Sequence, residues 1–175
     1  MGPSLPYSHT DAVVRREQGL SMVIYFSALL IGIVAGLRAM TAPATVSWAA
    51  FMGWLPLAES WAAFMGYRFT PWVFSVLAIV EYVTDQLPST PSRMVPQQFG
   101  ARLISGAFCG AVVGQAGDAA ITGAIIGIVG AVIGTYGGAA ARGRLSAAFG
   151  QDRPAALIED AVAIVLGVLA VSMFA

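Results

Sequence analysis

The chain has 175 residues, of which 58% are hydrophobic and only 10% are charged. A soluble domain carries about 25% charged residues, so a soluble fold with this composition would leave large apolar patches in water. Nine basic and nine acidic side chains balance, which leaves no basic field for nucleic acid. The single Cys109 excludes an intrachain disulfide, and the single His9 excludes a histidine-based zinc site or a bis-histidine haem within one chain. The composition indicates an integral membrane protein whose main partner is the lipid bilayer.

Apolar runs of the length that a bilayer requires, about 20 residues, recur along the chain. They predict an all-α fold, a polytopic transmembrane helix bundle. Residues 1–19 form a polar tail in this prediction, and residues 20–175 form a single transmembrane domain. The five predicted spans cover approximately residues 20–38, 69–87, 100–116, 119–140 and 155–174.

The stretch 39–66 is apolar but interrupted. Thr41 is positioned to cap a helix, and Pro43 suits the first turn of that helix. Gly53 and Pro56 would end it after about a dozen residues, which is too short to span. The segment is therefore predicted as a broken, non-crossing helical segment, either re-entrant or interfacial.

The arginines favour five spans over six. If 39–66 does not cross, seven of the nine arginines lie on one side and only Arg38 and Arg68 lie on the other. If it does cross, this bias disappears. The positive-inside rule then places the N-terminus in the cytoplasm and the C-terminus outside. In this topology Arg38 is interpreted as an interfacial residue whose side chain snorkels to the membrane surface.

Two internal similarities indicate duplication. The heptapeptide SWAAFMG occurs at 47–53 and again at 60–66, which predicts two short helices whose tryptophans lie at the membrane interface. A longer similarity joins LLIGIVAG at 29–36 to AIIGIVGA at 124–131. In the predicted topology these two segments run in opposite directions, as in the inverted repeats of many transporters. Similar composition of apolar helices is the alternative explanation.

Glycine spacing predicts close packing between helices. Small residues at every fourth position allow two backbones to approach within a membrane. The dipeptide Gly117-Asp118 predicts a tight hairpin that packs the third and fourth spans together. A glycine zipper inside the chain and a dimer interface both fit the pattern. The glycines concerned are Gly32, Gly36, Gly106, Gly110, Gly114, Gly123, Gly127, Gly130 and Gly134.

Charged side chains within or near the spans predict one polar layer. Single charges in a membrane are costly, so they should pair or line a wet cavity. One hypothesis is a site for an ion, a proton or a polar substrate group. The alternative is a set of salt bridges that fixes the bundle. The predicted layer contains Glu81, Asp85, Arg93, Arg102, Glu159 and Asp160.

Four segments, taken together and in order, resemble a known family. They are GLRAMTAPATVSWAA at 36–50, TDQLPSTPSR at 84–93, ARLISGAFCGA at 101–111 and ALIEDAVAI at 156–164. The chain resembles the bacterial membrane family called domain of unknown function 4126 over residues 30–174. That family usually has a lysine where Gln86 stands here. The resemblance implies a multi-pass protein of the bacterial inner membrane, with no established activity.

Two functional hypotheses follow from these patterns. The first is a small transporter or channel, built as a homodimer, in which the broken segment with Arg38, Thr41 and Pro43 lines the path. The second is an accessory or assembly subunit of a larger membrane complex, which would dock partner helices through its glycine stripes and its amphiphilic segment 41–66. No serine–histidine or cysteine–histidine pair can form in the membrane part, so no catalytic residue, cofactor or metal is predicted. A lipid-modifying enzyme that uses carboxylates alone is the third alternative.

Overall fold

The computed structural model describes residues 9–85 and 94–175, and these residues form helices and short connections without a strand. The all-α prediction is confirmed for this part of the chain. Its helices are α1 (His9–Leu37), α2 (Thr41–Phe51), α3 (Thr70–Thr84), α4 (Pro96–Gln115), α5 (Ala120–Phe149) and α6 (Asp152–Ser172), with a short 3-10 helix at Ala63–Gly66 between α2 and α3.

Three of these helices are long and apolar enough to cross a bilayer, namely Val14–Leu37 of α1, α5 and α6. They are compatible with an integral membrane protein. The apolar helix α3 has 15 residues, and its length of about 22 Å is less than the roughly 30 Å of a bilayer core. Helix α4 has 20 residues, with a buried arginine, Arg102, near its start. The helix ends also differ from the prediction, because α1 begins at His9, within the predicted tail, and α5 continues to Phe149.

Helices α1, α4 and α5 approach each other closely along lines of glycine. A Cβ at Gly32 would overlap the backbone of Gly127, and a Cβ at Gly127 would overlap the backbone of Gly106. Such contacts let backbones attract each other where lipid provides no hydrophobic drive. The same overlap with a neighbouring segment's backbone occurs at all nine glycines singled out in the sequence: Gly32, Gly36, Gly106, Gly110, Gly114, Gly123, Gly127, Gly130 and Gly134.

The glycine contacts also fix the directions of these three helices. Gly32 faces Gly127 and Gly36 faces Gly134, so α1 and α5 run parallel. Gly106 faces Gly127, whereas Gly110 faces the earlier residue Gly123, so α4 and α5 run antiparallel. The hairpin predicted at 117–118 lies between α4 and α5.

Helix α6 runs antiparallel to α1. The Ser27 hydroxyl donates to the Ala170 carbonyl at 2.8 Å, and near the other end of the pair Arg38 contacts Asp160. The N-terminal half of α1 and the C-terminal end of α6 therefore lie at the same end of the bundle. The five-span topology, which placed the two chain ends on opposite sides, does not fit these helix directions.

The difference arises in segment 39–66. Helix α2 starts beside Glu81, near the end of α3, and Trp48 farther along contacts Trp72 near the start of α3. The connection between them extends to the far end of α4, where the Trp61 indole nitrogen donates to Gln115 at 2.8 Å. This segment thus runs along the bundle and α3 returns, whereas the sequence pattern predicted a non-crossing segment that begins and ends at the same face.

The structures of the segments that share the two internal similarities also differ from the prediction. The first SWAAFMG copy, 47–53, completes α2, but the second, 60–66, forms turns and a 3-10 helix. The prediction of two short helices is wrong for the second copy. The segments 29–36 and 124–131 are parallel neighbours with Gly32 on Gly127. An inverted repeat would make them antiparallel, so these two segments do not form one.

Candidate functional site: a charged layer at the break between α1 and α2

The candidate site is built around a break in the chain between Leu37, the last residue of α1, and Thr41, the first of α2. A helix start leaves backbone N–H groups without partners inside the helix. The N–H groups of Ala39 and Met40 donate to the carboxylate of Glu81 at 2.7 and 2.8 Å. Because Glu81 lies on α3, it caps α2 from a neighbouring helix, and its negative charge faces the positive end of the α2 dipole.

The carbonyl groups at the end of α1 accept hydrogen bonds from side chains of α4. Arg102 Nη1 donates to the carbonyl oxygens of Gly36 and Leu37 at 2.8 and 2.5 Å. The Ser105 hydroxyl donates to the Ala39 carbonyl at 2.5 Å. A cation at the C-terminus of a helix is electrostatically favourable. Both ends of the break are therefore held by polar side chains of other helices.

Arg38 lies within the break and is completely buried. Its Nε donates to Oδ1 of Asp160 on α6 at 2.6 Å, and its Nη1 pairs with the Asp85 carboxylate at the end of α3. The Glu159 carboxylate lies 3.9 Å from Arg38 Nη2. The interpretation of Arg38 as a snorkelling interfacial residue is therefore wrong, since its side chain points into the bundle and joins α3 to α6.

Arg102 connects the two carboxylates of α3. Its Nη2 lies 3.7 Å from Asp85 Oδ2 and 3.9 Å from Glu81 Oε1. Like Arg38, it is almost fully buried. The carboxylates of this layer accept hydrogen bonds from arginine and backbone donors, and chemically they are able to bind a proton or a cation.

The structure brings most of the predicted layer together. Asp85, Glu159 and Asp160 lie against Arg38. Arg102 lies against Glu81 and Asp85, and Arg93 lies outside the described residues. Pro43 is buried in the first turn of α2. Thr41 belongs to the site but does not cap α2, because Met40 is the N-cap and it has no side-chain capping bond.

Sequence reasoning missed three contributors to the layer. The Tyr82 hydroxyl shares a 2.7 Å hydrogen bond with the Thr41 hydroxyl, and its ring lies 5.7 Å from the Arg38 guanidinium. Ser105 lies three residues after Arg102, and this spacing on one helix face was the signal that could have identified it. Arg142 contacts Glu159 at 3.5 Å, but no local pattern pairs a residue of α5 with one of α6.

Asp152 extends the layer beyond Glu159. Arg142 Nη2 lies 2.5 Å from Asp152 Oδ2, and the Ser146 hydroxyl donates to Asp152 at 2.8 Å. These contacts join the end of α5 to the start of α6.

Comparison of the chain with family models, with curated proteins and with solved structures finds no match.

Proposed function

We propose that the protein is a small membrane transporter or channel for a cation, a proton or a small polar solute, and that its site is the charged layer around Arg38. The observation that carries this proposal is the break between α1 and α2. Glu81 binds the backbone N–H groups at the start of α2, and Arg102 binds the carbonyl groups at the end of α1. Discontinuous helices whose ends face charged groups form the substrate and ion sites of many transporters.

The free-energy cost of burying the charged layer favours a functional role over a purely structural one. Arg38 and Arg102 are 0% and 2% exposed, and burying each ion costs several kcal/mol after relaxation. Apolar residues of similar volume are often equally stable in place of a buried ion pair. Helices α1, α4 and α5 are already packed through glycine contacts, so these helices do not depend on the ion pairs alone for their association.

The accessory-subunit alternative loses its main sequence argument. It relied on glycine stripes, together with the amphiphilic segment 41–66, that would dock partner helices. In the part of the chain that the structure describes, those glycines contact neighbouring segments of the same chain. They are therefore engaged within the bundle, and we place transport ahead of an assembly role.

Flux into liposomes tests the proposal. The purified chain is reconstituted with an internal dye selective for protons, Na⁺ or K⁺, and the gradient of the matching ion is imposed in each case. We expect Asp85→Asn and Asp160→Asn to reduce flux by at least tenfold. Glu59→Gln and Asp118→Asn remove carboxylates from exposed turns and should leave flux unchanged. Proton or monovalent cation transport is ruled out if the unaltered chain moves none of the three ions, and the role of the charged layer is ruled out if both layer variants retain its flux.

A further inference from the structure

An apolar groove of about 350 Å³ lies beside the charged layer. Helix α2 forms its floor, and α3 and α6 form its two walls. Its size and lining are those of binding sites for small apolar molecules. The apolar side chains that line it include Ala44, Trp48, Ala78, Ile79, Ile164 and Val168.

The groove extends along α2 and has a pair of hydroxyl groups at one end. Thr41 and Tyr82, whose hydroxyls are hydrogen-bonded to each other, lie at the end next to Arg38. Met52 and Trp54 lie at the other end. The eleven residue steps from Thr41 to Met52 correspond to about 16 Å along a helix. The shape therefore suits a linear apolar chain with a polar group at one end.

The walls of the groove continue into the apolar outer surface. Ile164 lines the groove, and the next residue of α6, Val165, is 56% exposed on the outside. On α3, Ile79 lines the groove and Val80 is 51% exposed. Because α6 is a candidate membrane span, lipid chains would cover this surface in a bilayer. The groove is therefore open to the acyl chains of the bilayer.

We infer that the groove binds one acyl chain of a bilayer lipid, with the ester region at the Thr41–Tyr82 hydroxyl pair and the chain extending toward Trp54. An apolar slot without an occupant would leave its lining without dispersion partners, and a lipid chain supplies them. The hydroxyl pair offers a donor for an ester carbonyl. This site goes beyond the proposed transport and does not depend on it.

Quenching by brominated lipid tests the inference. Trp48 is kept as the only tryptophan through Trp54→Phe, Trp61→Phe and Trp72→Phe. This chain is reconstituted into phosphatidylcholine bilayers with one acyl chain brominated near its middle, and into the same lipid without bromine. We expect bromine to reduce Trp48 fluorescence at least twofold.

A matched pair of fillings separates the groove from the general lipid surface. Ile164→Phe places a ring in the groove and should restore most of the Trp48 fluorescence in brominated lipid. Val165→Phe adds the same ring outside the groove and should leave quenching unchanged. Ile79→Phe and Val80→Phe repeat the comparison on α3 and decide the matter if the α6 variant does not fold. Absence of Trp48 quenching, or equal quenching within each pair, would overturn the inference. The readout needs no flux, so a failure of transport and a failure of lipid binding are distinguished.

Discussion

The Glu81 carboxylate on α3 lies 2.8 Å from the backbone nitrogen of Met40, the N-cap residue of α2. A helix start that has no side-chain cap of its own is thus capped from another helix. On the other side of the break, Arg102 performs the corresponding role for the carbonyl groups of α1. The position of the break therefore depends on α3 and α4. Substitutions of the residues that hold it should change the free energy of unfolding.

Replacing Glu81 should destabilise the bundle through α2. Glu81→Gln retains one carbonyl acceptor but loses the negative charge at the helix start. We expect a loss of about 1–2 kcal/mol in the free energy of unfolding, as for a removed cap or a charged hydrogen bond. Unfolding by SDS in mixed micelles, followed by circular dichroism, measures this change. Glu59→Gln, in an exposed turn, is the control, and equal stability of the two variants would contradict a capping role.

Removing Arg38 should have a larger effect. Arg38→Met removes the buried guanidinium that pairs with Asp85 and Asp160, and breaking such a pair costs about 3–5 kcal/mol. The triple variant Arg38→Met, Asp85→Asn, Asp160→Asn removes the unbalanced charges and should recover part of the loss. The same SDS unfolding assay compares both with Arg68→Met, whose arginine is exposed. No recovery in the triple variant would show that charge is not the cause.

Two glycines of α5 offer a direct comparison of packing. Gly127→Ala places a methyl group against the backbone of α4 at Gly106 and Gly110, and overpacking of this kind costs about 1–3 kcal/mol. Gly137→Ala meets nothing within 4 Å and should be neutral or stabilising by up to about 1 kcal/mol. Thermal unfolding in detergent should separate the two variants, and a similar melting temperature for both would argue against the interhelical contact.

The helix directions predict which ends of the chain share one side of the membrane. Single cysteines at Gly19, Gly143 and Ala175 are introduced in a Cys109→Ala background and treated with a membrane-impermeant maleimide. Gly19→Cys and Ala175→Cys should react from the same side of oriented vesicles, and Gly143→Cys from the opposite side. Reaction of the first two from opposite sides would support the five-span topology instead.

Sequence patterns predicted the helical class and most of the charged layer, because apolar runs and acids at depth are local signals. They did not predict the helix directions. The prediction relied on an arginine count that included Arg38 and Arg102 among the charges flanking the spans, whereas both are buried and bind groups on other helices. The cap of α2 was likewise assigned to Thr41, its own first residue, because local rules do not include a carboxylate from a different helix.

Gly127 is contacted by Gly32 on one side and by Gly106 on the other. Backbones interlocked in this way cannot slide without collision, so α1, α4 and α5 should act as one rigid scaffold. The α2–α3 hairpin joins that scaffold through the link at 38–40, through core packing of α2 and through the Trp61–Gln115 hydrogen bond, and its ion pairs reach α6. Any movement of α3 relative to α6 should therefore require Arg38 to release Asp85 or Asp160.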